Sequence, residues 1–151
     1  MKHTAIRITC FFVLAFADMR SDSNQSFAQK LVETIKALHP EITGLELSAT
    51  KPGKGCQTIA ATEIREIGEK CDEDELTAKK TNRPYVEQEK TEFDVTLPIH
   101  DSGGKVIATA GMDFKLEPGR TKETVIHEAL KVGSELERNF TSESDLFRPA
   151  Q

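Results

Sequence analysis

Apolar positions along this 151-residue chain follow two rhythms, and their order outlines a fold. Phe27, Leu31, Ile35 and Leu38 recur at spacings of four, four and three, the stripe of an amphipathic helix. Ser26 is placed to cap it and Gln29 to complete a capping box, while Pro40 ends it, which predicts a helix over 27–39. Leu45, Leu47 and Ala49 then alternate with Glu46, Ser48 and Thr50, the period of a half-buried strand. Residues 51–55 have loop composition, and residues 58–62, holding Ile59 and Ala61, read as a second short strand. The acidic run 72–75 suits the first turn of a short helix, residues 81–84 form a turn, and residues 85–89 can pair as a strand.

The strongest pattern spans Phe93 to Phe114. Phe93, Val95, Leu97 and Ile99 alternate with polar or small residues, and Val106, Ala108, Ala110, Met112 and Phe114 do so again. Asp101-Ser-Gly-Gly104 between them supplies a turn, which predicts a β-hairpin. Pro98 has no ladder donor and belongs at a bulge or on an outward-facing edge. Val125, Ala129, Val132, Leu136 and Phe140 then make a second helix stripe over 122–139, with Thr121 as its cap. Residues 141–151 are polar and are expected to be a flexible tail. The sum is one α+β domain with an antiparallel sheet, occupying 26–140.

The N-terminus adds a compartment. Lys2 and Arg7 precede an apolar run, residues 10–17, and Ala15 and Ala17 form an A-x-A pattern. That is the layout of a secretory signal peptide over 1–17, followed by a disordered lead-in over 18–25. Cleavage there removes Lys2 and Arg7, moves the net charge from −5 to −7, and leaves Cys56 and Cys71. Two cysteines in an oxidising compartment suggest a disulfide, which would contribute roughly 3 kcal/mol by closing its loop. A periplasmic or secreted location is expected.

Charge and composition narrow the function. The negative balance and mixed charges give no footprint for nucleic acid. One Tyr and no Trp make a stacking platform for sugars or single strands improbable on composition. The chain has no G-x-S-x-G elbow, no phosphate-cradling loop and no H-E-x-x-H; at His127-Glu128 the second ligand position is Lys131. No metal or cofactor is expected, the two cysteines having no metal-ligand spacing, and the chain reads as a binder rather than an enzyme. His39, at a helix end, is expected to meet the last carbonyls. Asp113 shares a strand face with Ile107, Thr109 and Gly111, and Gly111 leaves room beside it for a ligand's amine or hydroxyl. Asp94 and Thr96 hold polar-face positions on the other strand. Tyr85 and His100 complete the candidate ligand-binding set of Asp113, Thr96, Tyr85, His100 and Thr109.

The hairpin segment Val95-Thr-Leu-Pro-Ile-His-Asp-Ser-Gly-Gly-Lys-Val-Ile-Ala-Thr-Ala-Gly-Met-Asp-Phe114 resembles the end of a Cache domain of the PDC type. Asp101, Gly104, Lys105, Ile107, Gly111 and Asp113 occupy the family's pattern, with Ala108 in place of a Gly. The resemblance implies an extracytoplasmic small-molecule sensor with a PAS-like antiparallel sheet, a long N-terminal helix and a pocket on one face. It implies that Asp113 would meet a ligand's amine; the Trp of the family's carboxylate-binding segment has no counterpart here. Typical members are flanked by transmembrane helices and joined to output modules. This sequence shows no such output, so it is expected to be a free-standing version that passes its signal through a partner, a membrane receptor or a second copy of itself. The alternative is a protein-interaction or dimerisation module serving such a receptor, marked by an exposed apolar patch on the first helix.

Overall fold

A computed structural model describes residues 25–151; the expected signal peptide and residues 18–24 of the lead-in lie outside them. In chain order the elements are α1 (Phe27–Leu38), β1 (Ile42–Lys51), β2 (Gly55–Ala61), α2 (Glu73–Thr81), β3 (Tyr85–Gln88), β4 (Glu92–His100), β5 (Val106–Lys115) and α3 (Lys122–Glu137). Short 3-10 turns stand at Ile64–Glu66 and Glu143–Phe147. The strands form one antiparallel sheet in the order β2-β1-β5-β4-β3. The first and last thirds of the chain therefore meet at the centre of the sheet, where β1 pairs with β5. Among the described residues no helix is long and apolar enough to cross a membrane.

Alternation along the strands gives the sheet two unlike faces. One presents Leu45, Leu47 and Ala49 of β1, Phe93, Val95, Leu97 and Ile99 of β4, and Ala108, Ala110, Met112 and Phe114 of β5. Against it pack α1 through Ala28, Leu31, Val32 and Ile35, and α3 through Val125, Ala129, Val132 and Leu136. This is the core. The other face is polar, with Glu46, Ser48, Thr96, Thr109, Gly111 and Asp113, and α2 lies across β4 and β5 on that side.

Several expectations change in the structure. The N-terminal helix is not long: α1 has 12 residues against 16 in α3. Its buried stripe includes Ala28 and Val32 beside Leu31 and Ile35, so the apolar side of α1 is spent on the core except at Leu38, which is 66% exposed. Ser26 does cap α1 by accepting from the Gln29 N–H, but the Gln29 side chain does not reach back. Its amide instead donates to the Ala61 carbonyl at 2.9 Å and accepts the Ala61 N–H at 3.0 Å, filling the ladder at the end of β2. The capping box forms at α2, between Asp72 and Glu75. The segment after Phe140 is not a loose tail. Leu146 is buried, Phe27 N–H donates to the Arg148 carbonyl, and Ala150 N–H donates to that of Gln25, strapping the C-terminus along α1.

The hairpin turn is built by Asp101. Its carboxylate accepts the N–H groups of Gly103 and Lys105, and Gly104 takes the positive φ that closes the turn. Pro98 pairs with Thr109 one residue before the register shift at Ile99/His100. Since β3 stops opposite Thr96, Pro98 sits where the outer edge of β4 has no partner strand. Farther along that strand, the His100 N–H is taken by the Glu137 carboxylate from α3, so side chains finish what β3 leaves open.

Candidate functional site: an acidic cleft on the polar face

Register determines which polar side chains become neighbours. Across β1, β5 and β4, one row reads Gly44, Asp113, Asp94, and the next reads Glu46, Gly111, Thr96. Each carboxylate on β1 or β5 thus lies beside a glycine of the adjoining strand. A Cβ at Gly111 would stand 2.8 Å from Glu46 Oε1, and one at Gly44 would overlap Asp113 Oδ2. The two glycines are the space into which Glu46 and Asp113 fold down onto the sheet.

The third wall comes from the segment between β2 and α2. Cys56 and Cys71 are joined by a disulfide, with Cα atoms 5.4 Å apart. Backbone bonds from Thr58 to Glu69, from Gly68 to Thr58 and from Cys71 to Cys56 fasten the same segment to β2. Held in this way, it brings Glu63, Glu66 and Glu69 over the sheet. The result is a cleft of about 240 Å³ lined by Gly44, Leu45, Glu46, Thr62, Glu63, Glu66, Glu69, Asp94, Gly111 and Asp113. Six of these ten carry carboxyl groups, and no lysine, arginine or histidine is among them.

Crowding of carboxyl groups in a partly closed space raises their affinity for protons. Burial, reinforced by Glu75 and Glu66, pushes Glu46 up to about 8. Burial and then the neighbouring Asp113 push Asp94 up to about 7. Burial and the charge of Glu92 push Asp113 up to about 6. All three change charge around neutrality, so the cleft can hold protons or trade them for another cation. Among the described residues no group of His, Cys, Asp and Glu is arranged to hold a metal ion.

The candidate residues named from sequence separate into three places. Asp113 lines the cleft, facing Asp94. Thr96 and Thr109 share that face but are buried outside the cleft lining, and the Thr109 hydroxyl bonds the Ser48 carbonyl. Tyr85 pairs with Thr96 at the sheet edge and is close to Asp74. His100 lies six residues along β4 from Asp94, about 20 Å at strand spacing. There it contacts Glu137 and Asn82 in a second, less polar hollow with Leu97, Pro98, Leu130 and Gly133. Asp113, Tyr85 and His100 therefore do not form one cluster. His39 differs too: its backbone N–H meets the carbonyls of Ile35 and Lys36, while its ring turns to Glu41 and Glu135.

Glu46, Glu63, Glu66 and Glu69 escaped the sequence reading. Glu46 occupies the polar phase of an alternating strand, which ordinarily means solvent, and the other three sit in a segment with no periodicity. The one available signal was glycine inside strands, at Gly44 and Gly111, which marks close approach of another group.

No family model matches the chain, and no curated protein matches it. One solved structure similar to it was published as "Flavin Analogue Sheds Light on Light-Oxygen-Voltage Domain Mechanism". The two share 13% identity over 66% of this chain and 96% of that one, with a TM-score of 0.39.

Proposed function

We propose that this chain is an exported, sensor-like domain of Cache type that binds a small molecule through a cationic group. The observation that carries this reading is the cleft of six carboxyl groups without a basic residue. A ligand amine seated between Asp94 and Asp113 would neutralise two acids that otherwise repel across a strand pair. It would meet acceptor oxygens already desolvated, where a charge-assisted hydrogen bond is strongest. The resemblance of residues 95–114 to a sensor family, and the place of Asp113 within it, agree with this assignment. Export is supported by the leader-like N-terminus and by the Cys56–Cys71 bond.

Thermal denaturation of the whole chain at pH 8 tests the reading, with sets of primary amines and diamines, neutral sugars and dicarboxylates. The amine set should raise the melting temperature. One site filled at a hundred times its Kd stabilises by about 2.7 kcal/mol. Asp113→Asn should remove most of that shift. Equal stabilisation by dicarboxylates, or none by any set, would overturn the proposal.

A further inference from the structure

His39 stands where three elements meet: it ends α1, it precedes β1, and its ring faces α3. Nδ1 is 2.9 Å from Glu41 Oε1 and Nε2 is 3.0 Å from Glu135 Oε2. A carboxylate only accepts hydrogen bonds, and a neutral imidazole has a single N–H to give. The neutral ring would therefore turn a lone pair toward one of the two acids. Only the imidazolium, with two N–H groups, satisfies both at once. The geometry points to His39 as a proton-operated latch that ties the end of α1 to α3 when charged and slackens when neutral.

The surrounding charges agree. Glu41 leads into β1 and Glu135 belongs to α3; Arg120, before α3, acts on Glu41, and Lys36 lies in the last turn of α1. The ring is also at the C-terminus of α1, where a positive charge is favoured by the helix dipole. The bond to Glu135 leads the causes that hold the His39 pKa above 6.5, against the opposing effect of burial. For a group raised in the folded state, the stabilisation is complete below its unfolded pKa near 6.5 and is lost as pH rises through the folded value. The junction of α1 with α3 is thus firm in mild acid and loosens above neutrality.

An NMR titration of the His39 ring in the whole chain, with amide exchange measured at His39 and Ile42, tests the latch. The His39 N–H bonds the Ile35 and Lys36 carbonyls, and the Ile42 N–H bonds the His39 carbonyl. We expect His39 to titrate above 6.5 and both protection factors to fall severalfold across its midpoint. Glu135→Gln should lower that midpoint toward 6.5. His39→Gln should show low protection at every pH. If His39→Gln does not fold, the wild-type and Glu135→Gln titrations decide alone. A midpoint at or below 6.5, or protection that does not change across it, overturns the inference.

Discussion

Asp94 on β4 and Asp113 on β5 are direct cross-strand partners, two half-buried acids set side by side on the polar face of the sheet. Opposed like charges destabilise a strand pair by on the order of 0.5 kcal/mol. The chain carries that cost within the lining of its cleft.

The first prediction concerns pH. Asp113 near 6, Asp94 near 7 and Glu46 near 8 all lie above the ordinary values of 3.8 and 4.5. The folded chain therefore holds more protons than the unfolded one. Stability from these groups is greatest below about pH 4 and is lost as pH rises through 6 to 8. Melting curves should show Asp94→Asn flattening this decline and gaining about 3 °C at pH 8. Amine affinity should move the opposite way, rising between pH 6 and pH 8 as the carboxyls ionise. Calorimetric titration with a diamine in two buffers would also detect the released protons.

The glycines separate binding from folding. Gly111→Ala places a methyl 2.8 Å from Glu46 Oε1, and Gly44→Ala forces Asp113 off the sheet. Alanine in a strand recovers about 0.5–1 kcal/mol of backbone entropy, which offsets part of the crowding. Each variant should melt within about 3 °C of the parent and bind amines about tenfold more weakly, a loss near 1.4 kcal/mol. A variant that kept full affinity would show that Glu46 or Asp113 does not shape the site.

The disulfide should govern one wall of the cleft. Reduction of Cys56–Cys71 removes roughly 3 kcal/mol of loop constraint. The bonds from Thr58 to Glu69 and Gly68 remain, so the loss is local before it is global. Mass-spectrometric exchange should show residues 62–71 opening first, with amine binding weakened and β4–β5 still protected.

The C-terminal strap should matter for stability. Leu146 is 1% exposed, among the core residues under α1. Leu146→Ala should cost about 2–5 kcal/mol in urea unfolding, the range for a buried leucine. A loss below about 0.5 kcal/mol, usual for surface positions, would return residues 141–151 to the status of a tail.

Period and punctuation were legible along the chain. The alternation from Phe93 to Phe114 and the Asp101–Gly104 turn specified β4, β5 and their inward faces, because side-chain direction follows strand period without knowledge of neighbours. The stripe from Val125 to Phe140 placed α3 against the sheet for the same reason. The pairing of Cys56 with Cys71 follows from their count together with the expected oxidising compartment. Non-local neighbours were not legible. Leu146 is apolar but has no periodic companions, and Gln29 has the spacing of a cap residue while its actual partner, Ala61, lies 32 residues away.

The hairpin and its inward and outward faces were thus set by local sequence, because each residue's face depends only on its phase. The cleft was decided by tertiary structure alone. β1 inserts between β2 and β5, and only that placement sets Gly44 beside Asp113 and Gly111 beside Glu46. The same carboxyl groups on an open strand face would be solvated and ordinary. Burial against one another, under a wall fastened by Cys56–Cys71, is what makes them a candidate site.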